Sequence, residues 1–139
     1  MSDAAGYSGT PLPRKLGIGP GDEVTLIGAP DWLPAMVAAV PGVAGVRASL
    51  AVGGLLDVIV AFVTWRRDLE AGLAGFRERM APACGLWIAW PKKASGVPTD
   101  MSDNVVREVA LPAGLVDNKV CAIDQTWSAL RLVIRRENR

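Results

Sequence analysis

The chain has 139 residues, half of them apolar, with 15 basic and 14 acidic side chains and no histidine. At this length a chain buries roughly two thirds of its unfolded surface, so one domain with a proper core is expected without disulfide or metal staples. The missing histidine removes the usual base near neutral pH, the net charge of +1 argues against nucleic acid or a membrane surface as partner, and no apolar run approaches the ~20 residues of a membrane span.

Residues 1–22 are rich in Gly, Pro and Ser, lack a secretory leader pattern, and read as an N-terminal arm leading into a single domain over residues 23–139. Glu23-Val-Thr-Leu-Ile27 is a short β-branched run closed by Gly28-Ala-Pro30, as expected of a buried first strand. Asp31 is placed to cap a short helix over about Trp32 to Val40, with Pro34 tolerated in its first turn and Pro41-Gly42 as its stop. Val46 to Val52 is a weak strand candidate, whereas Leu55 to Val63 is continuously apolar, like a central strand covered on both faces. A helix over about Arg66 to Met80 aligns Leu69, Leu73, Phe76 and Met80 on one stripe. Gly85 to Trp90 reads as a strand, Pro91 to Met101 as a polar loop, and Asp103 to Leu111 as a helix. Two strands close the chain near Lys119 to Ile123 and Ala129 to Arg136, the last alternating apolar residues with Arg131 and Arg135 so that one face meets solvent.

This alternation predicts a three-layer α/β domain with a mostly parallel sheet, and the short link between the last two strands allows only an antiparallel hairpin there. The outline is Rossmann-like and resembles class I methyltransferases. Cys84 and Cys121 open or sit within apolar runs and are expected as buried reduced thiols. Two cysteines without histidine cannot complete a zinc tetrahedron, so no metal is expected, and a cytoplasmic location follows from the cysteine usage.

In open α/β sheets ligands gather at the carboxyl ends of the parallel strands. Those ends carry Gly28 to Asp31, Thr64 to Arg67, Pro91 to Asp100 and the hairpin tip Asp124 to Ser128. Lys92, Lys93, Ser95 and Gly96 offer two ammonium groups, a hydroxyl and a close-approach glycine, suited to a phosphate or carboxylate. The other reading is a solvated loop in which Asp100 and Asp124 pair with the lysines. These two aspartates are also the rim's plausible proton-transfer groups. Thr99 or Ser102 has the alternative duty of capping the next helix. Trp65, Trp90 and Trp127 either stack on a planar ligand or seal the end of the core. Gly17-x-Gly19-x-Gly21 precedes the first strand, whereas a dinucleotide loop must follow it, and no acidic residue ends the second strand to hold a ribose. The terminal arginines read as a solvated face.

Three segments, Gly6-Tyr-Ser-Gly-Thr-Pro-Leu-Pro-Arg-Lys-Leu-Gly17, Trp90-Pro-Lys-Lys-Ala-Ser-Gly96 continuing to Asp100, and Lys119-Val-Cys-Ala-Ile-Asp-Gln-Thr-Trp-Ser128, together resemble the bacterial group known as domain of unknown function 3052. The resemblance covers nearly the whole chain. It implies no particular reaction or cofactor, but it implies that the arm is part of the folded unit, with Tyr7, Ser8, Thr10 and Lys15 over the same rim. The first functional expectation is a non-enzymatic or regulatory module for a small anionic, phosphate- or nucleotide-like ligand held by Lys92, Lys93, Ser95, Gly96, Thr99, Asp100, Asp124, Trp127 and the arm. The alternatives are an S-adenosylmethionine-dependent methyltransferase-like enzyme, and an interaction module that engages a partner or forms a homodimer.

Overall fold

The computed structural model describes residues 9–51 and 53–139. Six strands form one sheet: β1 (Glu23–Ile27), β2 (Gly45–Arg47), β3 (Leu56–Phe62), β4 (Met80–Pro91), β5 (Leu115–Ala122) and β6 (Trp127–Ile134). Their spatial order is β2-β1-β3-β4-β6-β5. β1 pairs in parallel with β2 and β3, β3 with β4, and β6 runs antiparallel between β4 and β5. The carboxyl end of β5 therefore lies on the same rim as those of β1 to β4. The fold class is the one the pattern predicts.

Helices α1 (Leu12–Lys15) and α2 (Leu33–Ala38) cover one face, and α3 (Arg66–Arg79) and α4 (Asp103–Ala110) cover the other. The alternation of side chains along β3 and β4 feeds both layers. Ile59, Leu86, Ile88 and Trp90 join α3 and α4, while Val60, Trp87 and Ala89 meet α1 and α2. α3 owes its place to the stripe Leu69, Leu73 and Phe76, all buried, as the periodicity predicts.

The N-terminal arm packs on the domain: Leu16 and Ile18 are core residues, and the Leu16 carbonyl accepts the indole N–H of fully buried Trp87 at 2.9 Å. Three expectations need correction. The second strand is only three residues, Gly45–Arg47, and the chain leaves the sheet before Val52, which lies outside the described residues. α2 starts at Leu33 with Trp32 as its N-cap and no side-chain cap, so Asp31 does not do that work. The face of the final strand expected to be wet is solvated only in part: Ala129 and Val133 on it are buried, while Arg131 is half-buried and reaches Asn118.

The crossover from β2 to β3 is unusually brief. Parallel strands ordinarily need a dozen or more connecting residues, yet residues 48–55 suffice because β2 is so short. Arg79, at the end of α3, donates to the Leu50 carbonyl at 2.6 Å and the Gly54 carbonyl at 2.7 Å, which ties the link down. No helix among the described residues is long and apolar enough to cross a membrane.

Candidate functional site

Strand order reverses between β1 and β3, which places a crevice outside their carboxyl ends. Gly28 ends β1 with φ +67°, and a Cβ there would stand 3.3 Å from the Phe62 carbonyl oxygen of β3. That combination of left-handed backbone and close approach is one only glycine tolerates well. Phe62 and Trp127 meet edge to face, ring centroids 5.1 Å apart, and form an aromatic wall across the same end of the sheet. Ala29 and Leu12 pack on the same layer.

Four of the polar residues anticipated as ligands, Ser95, Thr99, Asp100 and Asp124, are occupied by backbone. The Asp100 carboxylate accepts the Arg66 N–H at 2.7 Å and so caps α3, whose own N-cap residue Trp65 supplies no side-chain bond. Asp124 Oδ1 accepts the N–H groups of Thr126 and Trp127, both at 2.8 Å, and shapes the β5–β6 hairpin. Neither aspartate forms an ion pair with Lys92 or Lys93 among the described residues, against the pairing considered above. Thr99 donates its hydroxyl to the Thr64 carbonyl and accepts the Met101 N–H at 3.0 Å, stitching the long loop onto the end of β3. Ser102, not Thr99, caps α4 by accepting the Val105 N–H at 3.2 Å.

Lys93 to Ser95 form a single 3-10 turn ended by Gly96 at φ +77°. The Ser95 hydroxyl donates to the Lys92 carbonyl at 2.6 Å and accepts the Val97 N–H at 3.2 Å, so it is turned into its own loop. Lys92 is half-buried and Lys93 exposed. The structure thus brings Lys92, Lys93, Asp124 and Trp127 to one rim and assigns Ser95, Thr99 and Asp100 to holding its loops. Thr10 and Lys15 of the arm both have interaction partners; Tyr7 and Ser8 lie outside the described residues.

Of the three rim tryptophans, Trp90 is buried in the α3–α4 layer, Trp127 is partly buried in the wall, and Trp65 is exposed with the Arg67 guanidinium 5.9 Å from its ring centre. Phe62 lines the crevice and was missed by sequence reading, which placed Gly28 on the rim but not its close approach to β3. A strand-terminal glycine and phenylalanine look like ordinary core and turn until β1 and β3 are known to be neighbours.

Both cysteines are free and buried. Burial pushes the Cys84 thiol up to about 12, with the Asp57 charge adding to it. Cys121 is also raised by burial, which the Lys15 and Lys119 ammonium groups oppose without overcoming. Neither thiol is equipped as a nucleophile. Among the described residues no cluster of carboxylates and thiols is placed to hold a metal ion. Away from the rim, Thr25 Oγ1 and Glu23 Oε1 are buried without hydrogen-bond partners on β1. A groove of about 470 Å³ between α3 and α4 is lined by Leu73, Val109 and Pro112, with Arg66 paired to Glu70 and Glu108 at its mouth.

No family model and no curated protein matches the chain. Solved structures do. A magnesium protoporphyrin IX methyltransferase from Synechocystis with bound S-adenosylhomocysteine aligns with a TM-score of 0.60 at 12% identity, covering 83% of this chain and 74% of that one. An S-adenosylmethionine-dependent methyltransferase from Aquifex aeolicus aligns at 0.61 and 14% identity, covering 87% of each chain. The O-methyltransferase NcsB1 of neocarzinostatin biosynthesis, in complex with S-adenosylmethionine, aligns at 0.65 and 14% identity over 86% of this chain and 50% of that one. At such identities the likeness is one of fold, and the fold is the Rossmann-like fold of class I methyltransferases.

Proposed function

We propose that the protein is a methyltransferase-like binder of an adenosyl ligand, S-adenosylmethionine or its demethylated product, at the crevice between β1 and β3. The observation that carries this reading is the turn from β1 into α2. A phosphate-bearing nucleotide needs a glycine loop and free N–H groups at a helix start. Here α2 has only six residues, the Leu33 N–H is already donated to the Pro30 carbonyl at 3.1 Å, and Pro34 has none to give. A ligand without phosphates makes no such demand. The close approach at Gly28 and the Phe62–Trp127 wall fit the flat adenosyl end of such a ligand. The turn after β2 departs from the usual pattern, since Arg47-Ala-Ser49 supplies no carboxylate for ribose hydroxyls. Binding is therefore expected to be weaker than where such a carboxylate is present. Membership of the domain of unknown function 3052 group is proposed on the three sequence motifs alone.

Titration calorimetry with S-adenosylmethionine, S-adenosylhomocysteine, ATP and NADH tests the reading. Binding is expected for the first two and not for the phosphate-bearing pair. Gly28→Ala, which crowds the crevice at the Phe62 carbonyl, is expected to weaken S-adenosylhomocysteine binding at least tenfold. The absence of heat and of thermal shift with both sulfur ligands overturns it, and saturable ATP binding restores the anion-module reading instead.

A further inference from the structure

Away from the crevice, the outer side of α2 differs in kind from the rest of the surface. Residues 32–46 carry no charged, hydroxyl or amide side chain. Even so, α2 and its two cap residues stand in solvent. Trp32, Pro34, Ala35, Met36, Ala38 and Ala39 are all exposed, and only Leu33 and Val37 of the helix are buried. Trp32 is 38% and Met36 42% exposed. A helix that is apolar on every side is ordinarily covered, and a contiguous apolar patch marks a place of contact.

The other outer elements expose charges. α3 shows Arg67, Asp68 and Glu70 to solvent, α4 shows Asp103 and Glu108, and the β5 edge shows Asp117 and Lys119. Docking α2 on any such face would strip a charge of its water and offer it no partner. The surface that covers α2 must therefore be as free of charge as α2 itself. The same face of a second copy meets that condition, and its order of sizes also fits in reverse. At about 3.6 residues per turn, Trp32, Ala35, Met36 and Ala39 share one side of the helix. Set against an antiparallel copy about a two-fold axis between positions 35 and 36, Trp32 falls on the second copy's Ala39 and Met36 on its Ala35. Each large side chain then meets a small one, and the contact closes on itself.

We propose that the protein forms a symmetric dimer through α2, each copy covering the charge-free face of the other. A stable interface takes about 800 Å² and roughly 20–30 residues from each partner. The exposed part of residues 32–46 is smaller than that, so the pair is weak, with a dissociation constant on the order of 100 µM. Asp31, the nearest charge in sequence, precedes the paired residues. No ion pair holds the contact, so added salt does not loosen it.

Sedimentation velocity on the full chain tests this, at protein concentrations about tenfold to either side of that value and at low and high salt. A monomer–dimer equilibrium that salt leaves unmoved is expected. Met36→Glu sets a charge into the contact at an exposed position, and is expected to leave only monomer with the circular dichroism of the parent chain. Trp32→Ala is expected to weaken the dimer about tenfold. The double variant Trp32→Ala, Ala39→Trp, which keeps large on small in the opposite order, is expected to recover most of that loss. A chain that stays monomeric throughout overturns the proposal, as does a dimer that Met36→Glu leaves intact or that salt dissociates. A double variant no tighter than Trp32→Ala overturns the antiparallel pairing. Capture of a monomeric chain by neutral phosphatidylcholine vesicles, lost in Met36→Glu, assigns the face to lipid and overturns the dimer. None of these readouts uses S-adenosylmethionine, so the result is independent of the adenosyl reading.

Discussion

The half of the sheet built on β1 and β2 and the half built on β3 to β6 follow different economies. In the first, β2 has three residues, α2 has six, and the return link spans residues 48–55. In the second, β4 runs for twelve residues, β5 and β6 for eight each, and α3 for fourteen. A doubly wound domain ordinarily places its phosphate loop and its ribose-binding acid in the first half. Here that half has been reduced to what the core needs. The second half keeps its full frame and carries the lysines and the hairpin. The contrast teaches that a Rossmann-like frame holds through packing of its central strands even where the turn after β1 has no glycine loop and β2 ends without an acid.

The largest expected effect sits where both halves and the arm meet. Trp87→Ala removes the fully buried ring and leaves the Leu16 carbonyl without its donor, so a loss of about 3–5 kcal/mol is expected in denaturant unfolding. A loss below about 1 kcal/mol would mean that the arm is not anchored through this contact. Leu33→Ala, on the short α2, is expected to cost about 2–3 kcal/mol, toward the lower end for a buried leucine because so small a helix relaxes easily. A cost equal to that of Trp87→Ala would erase the contrast between the halves.

Asp100→Ala tests the rim more gently. Its carboxylate caps α3 from across the loop, and removal is expected to cost about 1 kcal/mol by the same measurement. A neutral result would return Asp100 to the list of groups available for chemistry. The last signal is absent at neutral pH and grows only in alkali. The folded Cys84 thiol is held near 12 while the unfolded thiol ionises near 9, so the unfolded state loses its proton first. The Cys84 contribution to stability should be level below pH 9 and should fall from there toward pH 12, and Cys84→Ala should flatten that part of the profile. A profile that Cys84→Ala leaves unchanged would show that other groups govern the alkaline limb.

Much of the frame was legible because its signals are local. The β1 limits, the apolar run of β3 and the stripe of α3 each follow from periodicity and from a stop signal nearby. The site was legible only in its location. Lys92 and Lys93 were placed on the rim because strand ends collect ligands, yet the duties of Thr99 and Asp100 were not legible, since each bonds to backbone that becomes adjacent only on folding, while Ser95 bonds within its own loop, to Lys92 and Val97. Asp100 lies 34 residues from the N–H that it caps, and no window of sequence contains both. The anchor of the arm was not legible for the same reason, as Leu16 and Trp87 are 71 residues apart.

The net charge of +1, the missing histidine and the alternation of strand and helix were set by the amino-acid sequence on its own, because composition and period need no partner. Which glycine matters, which aspartate is committed and where an aromatic wall stands were decided only by the tertiary structure. Gly28 gains its meaning from Phe62 on a neighbouring strand, and Trp127 from the same ring, through close contacts between segments far apart in the chain.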